Sequence, residues 1–228
     1  MNDLQGSALF RCLARLPGAA LLAGALLLLL LLPAAGFAQT ALDTYREGLR
    51  TWSGDFTQIT QDERGRTIDE AAGRLLIVTP CKFRWETALA PDEPPVQLMI
   101  ADGSNLWFLD HDLDQATVKP QEEAMRQSPA MLLACGAGLR DAFVVTADGR
   151  RDGHDWVKVQ PQQAESDFRE ALFGYKGREL ARLVIIDKWG QRSTLRFSNV
   201  RRNATVDPAQ VRFTLPPGAD LIGQPVEP

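Results

Sequence analysis

Apolar and polar positions change their period early in the chain. Leu42, Tyr45, Leu49 and Trp52 recur at helical spacing, with Asp43, Arg46, Glu47 and Arg50 on the other faces. That spacing predicts one amphipathic helix over 39–53. Beyond it the period is two. Lys82-Phe83-Arg84-Trp85-Glu86 alternates, and Val96, Leu98 and Ile100 form one face of the following run. The same character returns at 105–110, 115–119, 143–147, 155–160, 170–175, 179–187 and 193–201. With segments near 54–62 and 70–79, about eleven short strands are predicted.

Asp102-Gly103, Asp148-Gly149, Asp152-Gly153, Lys176-Gly177 and Trp189-Gly190 separate the runs with residues that tolerate positive φ. Short turns between alternating strands predict an antiparallel meander rather than a βαβ fold. One strongly helical interruption is predicted over 128–138. Ser128 caps it, Pro129 suits its first turn, Met131-Leu132-Leu133-Ala134-Cys135 follows, and Gly136 and Gly138 end it. A helix without a polar face must be covered on several sides. The expected architecture is mainly β: one large sheet that must curl, split or close, with two helical pieces over one face. Beneath those helices lies either a packed core or a hollow, and the pattern alone admits both.

The first 38 residues follow another logic. Arg11 and Arg15 precede an apolar run from Ala19 to Leu32, then Pro33-Ala34-Ala35-Gly36-Phe37-Ala38. This is the layout of a secretory signal peptide, and the run is short against the roughly 20 apolar residues of a spanning helix. Residues 1–38 are expected to be removed after Ala38. Residues 39–228 then form a single exported domain that begins at Gln39 rather than at a lipidated cysteine.

Removal of two arginines and one aspartate moves the formal charge from −4 to −5. Mild acidity with no basic stripe argues against nucleic acid as a partner. Cys12 leaves with the signal, and Cys81 and Cys135 remain, an even set that suits one disulfide in an oxidising compartment. His111 and His154 are the only histidines, and no serine elbow, zinc-binding pair or phosphate-cradling loop is present. An enzyme is therefore not expected. Asp110, Asp112 and Asp114 lack the Gly and late Glu of a calcium loop and read as a solvated turn, so no metal or cofactor is assigned.

The order of several short motifs carries more. Phe56-Thr57-Gln58, Gly73-Arg74-Leu75-Leu76-Ile77 and Pro80-Cys81-Lys82-Phe83-Arg84-Trp85 come first. Asp102 to Asp110, Leu113 to Thr117, Ser128 to Leu133 and Phe213-Thr214-Leu215-Pro216-Pro217-Gly218 follow. In this order the chain resembles the periplasmic outer-membrane lipoprotein carriers, the LolA family. The resemblance implies an unclosed, strongly curved antiparallel β-barrel of about eleven strands with a helical lid over an apolar cavity. It implies a monomeric periplasmic chaperone that takes acylated lipoproteins from an inner-membrane lipoprotein-releasing transporter to an outer-membrane acceptor lipoprotein. Phe83, Trp85, Trp107, Leu132 and Leu133 would then contact acyl chains, with Thr79, Ser128 and Pro129 at the lid and its latch. The same fold would also serve an amphiphile-binding or sensor module with another cargo.

One position departs from the family. An arginine commonly precedes the proline of Pro-x-x-Phe-x-Trp and hydrogen-bonds the lid, whereas this chain has Thr79, which cannot reach as a guanidinium does. Cys81 lies two residues beyond Thr79 and Cys135 lies in the expected lid. A Cys81–Cys135 disulfide would tie sheet to lid in the arginine's place; two buried free thiols are the alternative.

Overall fold

A computed structural model describes residues 40–125, 130–135, 142–162 and 166–227. The expected signal segment, Ser128, Pro129, Gly136 and Gly138 lie outside these residues. The strands are β1 (Thr51–Gln61), β2 (Thr67–Val78), β3 (Lys82–Ala88), β4 (Gln97–Ala101), β5 (Asn105–Asp110) and β6 (Gln115–Pro120). After them come β7 (Phe143–Arg151), β8 (His154–Pro161), β9 (Phe168–Lys176), β10 (Glu179–Asp187), β11 (Arg192–Arg202) and β12 (Asp220–Ile222). Among the described residues three short α-helices accompany them, α1 (Ala41–Arg46), α2 (Gln121–Met125) and α3 (Ala130–Cys135), with one 3-10 helix at Pro208–Val211.

All twelve strands belong to one sheet, ordered β12-β6-β5-β4-β3-β2-β1-β11-β10-β9-β8-β7. Neighbours are antiparallel, as the short turns require, except β12, which lies parallel to β6. No ladder joins β7 to β12, so the barrel is unclosed. Its curvature follows from the core. A single buried cluster contains Phe83 and Ala101 on β3 and β4 together with Phe143 and Val159 on β7 and β8, seven places away in the order. Side chains so far apart across a sheet can meet only if it curls around them. We call the face carrying this cluster the inner face; α1 and α3 add Tyr45, Leu132 and Leu133 to it.

The amphipathic pattern over 39–53 resolves into a helix of six residues and the start of a strand. Thr40 and Asp43 form a capping box at the N-terminus of α1. Gly48, at φ 62°, then turns the chain out of the helix. Leu49 and Trp52 are still buried, at 7% and 0% exposure, because a turn into β1 returns them to the same face. Helical spacing of apolar residues was satisfied here by two elements rather than one.

The outer face carries smaller clusters. Leu98, Ile100, Leu109 and Ala116 pack with Trp107 and Phe213, and Trp156, Val184 and Ile186 with Leu172. Asp110 accepts from the amides of Asp112 and Leu113 at 3.0 and 3.1 Å, so its carboxylate shapes the β5–β6 turn. Among the described residues no helix is long and apolar enough to cross a membrane.

Candidate functional site

The helix α3 has an apolar sequence on every side, and the fold covers four consecutive residues of it. Met131, Leu132, Leu133 and Ala134 are 0–3% exposed, and α3 lies against β2 and β3. On β3, alternation sends Phe83 and Trp85 to the inner face, where register sets them beside Ala101 and Met99 of β4. Phe83, Leu132 and Leu133 belong to one cluster, and Trp85 packs against it half-buried. Trp85 leans on Phe56 with ring centroids 5.1 Å apart. Four of the five residues expected to meet acyl chains are thus brought together, and three of them are buried against one another.

Trp107 is placed elsewhere. It pairs with Ile100, whose neighbours Met99 and Ala101 face inward. Period two therefore sends Trp107 outward, and it stacks on Phe213 with centroids 4.5 Å apart. Its indole N–H donates to the Asp102 carboxylate at 2.8 Å. Trp107, expected to contact acyl chains, thus lies on the face opposite Phe83.

The β2–β3 turn joins sheet to helix. Cys81 and Cys135 are disulfide-bonded, and the Cys81 amide donates to the Ala134 carbonyl at 3.0 Å. Behind the turn, the Gln121 amide group donates to the Cys81 carbonyl at 2.7 Å and accepts from Gly103 N–H at 2.9 Å. Gln121 is buried, and nothing in its sequence neighbourhood marked it. Thr79 turns the other way: its hydroxyl donates to the Leu49 carbonyl at 2.8 Å, and its amide to that of Arg50 at 2.9 Å. The residue standing where the family has its latch arginine therefore binds the α1–β1 turn, not α3.

Beside α1, five polar atoms are buried without a hydrogen-bond partner among the described residues. They are the Tyr45 and Tyr175 hydroxyls, Trp52 Nε1, Arg202 Nη1 and Glu179 Oε2. The two tyrosine rings lie 5.5 Å apart, and the Arg202 guanidinium lies 5.6 Å from the Tyr45 ring centroid. Burial pushes both phenols well above the usual tyrosine range; Arg202 partly offsets this for Tyr45, and Tyr45 adds to it for Tyr175. Both hydroxyls stay protonated and able to donate.

Comparison with known proteins gives the same reading from another direction. The family model described as "Outer membrane lipoprotein carrier protein LolA" matches residues 47–214. An outer-membrane lipoprotein carrier protein of Methylococcus capsulatus is 35% identical over 183 residues, covering 80% of this chain and 86% of that protein. One of Dechloromonas aromatica is 34% identical over 197 residues, covering 86% and 92%. Among solved structures, an uncharacterized conserved protein from Thermus thermophilus superposes with a TM-score of 0.50 at 16% identity, covering 80% of this chain and 96% of that one. That last likeness concerns the fold alone.

Proposed function

The chain belongs to the LolA family of outer membrane lipoprotein carrier proteins, and from that premise we propose that it shields lipoprotein acyl chains between α3 and the inner face and carries them across the periplasm. The proposed route runs from an inner-membrane releasing transporter to an outer-membrane acceptor lipoprotein, with residues 1–38 removed on export. What carries the reading is the burial of α3: an apolar helix of six residues covers the apolar strand face that bears Phe83.

Physical chemistry explains why such a contact suits a carrier. Each methylene exposed to water costs about 0.8 kcal/mol, so a sixteen-carbon chain left bare costs on the order of 12 kcal/mol. When α3 is displaced, the inner face loses one apolar partner and an acyl chain supplies another. Exchange of like for like is close to balanced, so loading needs no nucleotide site and no chemistry in the carrier itself.

Phe83→Glu tests the reading. Lipids extracted from wild-type protein made in the periplasm should include acylated species by mass spectrometry. The variant, with a charge that must be desolvated in the same place, should keep its β-type circular dichroism and lose them. Unchanged acyl binding would remove Phe83 from the site, and gross unfolding would make it a core residue only. N-terminal sequencing should begin within a few residues of Gln39; a full-length species in the inner membrane would overturn the export reading.

A further inference from the structure

The buried polar atoms beside α1 sit on the interior that acyl chains are proposed to enter. Phe83 pairs with Ile77, Ile77 with Trp52, and Trp52 with Arg202, so Trp52 lies two strands from Phe83, roughly 10 Å at usual strand spacing. Tyr45, Trp52 and Tyr175 are each 0% exposed and belong to the Phe83 cluster. Arg202 reaches the same place, donating through Nη2 to the carbonyls of Tyr45 and Glu47 at 2.7 and 2.8 Å while Nη1 stays unpartnered.

A buried donor without an acceptor is destabilising, and here several occur together. Four of the five unpartnered atoms can donate; Trp52 Nε1 and Arg202 Nη1 only donate, the two tyrosine hydroxyls can also accept, and Glu179 Oε2 only accepts. Donors therefore outnumber dedicated acceptors, and their complement is a group that brings acceptors. The Arg202 cation is accompanied by the Glu179 carboxylate, and both act on Tyr45 with opposite sign. The site as a whole therefore suits a neutral acceptor better than a carboxylate or phosphate. An acyl ester carbonyl is such a group.

We propose that Tyr45, Tyr175, Trp52 and Arg202 form a donor cluster that receives the ester carbonyls of the bound lipid, fixing how deep the acyl chains sit. The proposal rests on the acyl-carrier reading and adds a polar end to an otherwise apolar site. It makes the protein selective for esters, which a greasy hollow alone would not be, because a site built to donate rejects an analogue lacking the acceptor.

The test compares monopalmitoylglycerol with hexadecylglycerol, which share head group and chain length and differ in the ester carbonyl. Each is titrated against a dansyl-labelled fatty acid on the full mature protein. Wild type should bind the ester about tenfold more tightly than the ether. Tyr45→Phe combined with Tyr175→Phe should abolish that preference by weakening the ester alone, with ether affinity and ligand-free melting temperature not reduced. Should the double variant fail to fold, each single variant should lose about threefold for the ester. Equal binding of ester and ether by wild type, or a preference that survives both substitutions, overturns the proposal. Failure of both lipids to bind wild type overturns the acyl-carrier reading beneath it. Diacylglyceryl-cysteine peptide and phosphatidylglycerol, run in parallel, separate the two natural sources of such esters. A tyrosine-dependent gain confined to the peptide assigns lipoprotein; an equal gain for both assigns acyl esters in general.

Discussion

The amide of Cys81 donates to the carbonyl of Ala134 at 3.0 Å, so backbone and sulfur hold the same two segments together. Neither bond depends on a long side chain reaching across the interior. Sheet and helix are thereby joined at one point, next to the Thr79 that took the arginine's place.

Removing the covalent part should be costly but not disruptive. Cys81 and Cys135 are 54 residues apart, and closing a loop of that size is worth about 4 kcal/mol on the chain-entropy model. Cys135→Ser should lower stability in urea by about that amount while leaving the Cys81 amide able to bond. Thiol counting on denatured, unreduced protein should find none; two free thiols would disprove the bond.

Gly73 is required for space rather than for backbone freedom. A Cβ there would stand 2.6 Å from Phe56 Cζ and run into the Glu86 carbonyl. Gly73→Ala should therefore destabilise by about 3 kcal/mol through forced movement of Phe56 and β3. Thermal denaturation would register this, and an unchanged midpoint would show that Phe56 yields freely.

Beyond β12, the C-terminal segment is tied to β5 by a buried side chain. Asn105 donates to the Val226 carbonyl and accepts from its amide, both at 2.8 Å. Asn105→Ala should increase hydrogen exchange at Val226 by about tenfold or more, two bonds at about 1 kcal/mol each being lost. Exchange on the inner strands should be unaffected.

Acid should loosen the β1–β2 turn before it affects the core. The Asp62 carboxylate accepts from the amides of Arg66 and Arg64, both at 2.9 Å, and from Arg66 Nε at 2.7 Å. These bonds, the Arg66 amide foremost, hold its pKa below the ordinary 3.8. A depressed carboxyl pKa gives stability that is present above the unfolded value and lost as pH falls through the folded one. NMR titration should place the Asp62 midpoint below 3.8, with exchange at Arg64 and Arg66 rising only below that pH. A midpoint at the ordinary value would show that the turn bonds do not persist in solution.

Much of this molecule was legible as pattern. Period two located β3 and put Phe83 and Trp85 on one face, since alternation is a local property. What it could not say is which face is inner: Trp107 alternates as cleanly as Phe83, yet its strand presents it to Phe213, far away in the chain. Helical spacing carries Trp52 into the predicted helix because a turn at Gly48 keeps its face unchanged. Strand β12 has no signature in the pattern because three residues carry no period, and its pairing with β6 is a tertiary event. The donors beside α1 were invisible for a similar reason. Tyr45 reads as an apolar residue of a helix, and only assembly brings it to Tyr175.

Among the described residues the sheet stops at β7 and β12, and such borders are where an extended chain, including another copy, could add. The edges are poor templates. β7 shifts register between Ala147 and Arg150, and its last residues, Gly149, Arg150 and Arg151, are a turn-former and two cations. β12 is three residues long and is followed by Gly223 at φ 95° and by Pro225. Strand addition finds only short stretches, residues 143–147 on β7 and three residues on β12. Short, broken borders of this kind limit edge-to-edge pairing between copies of the chain.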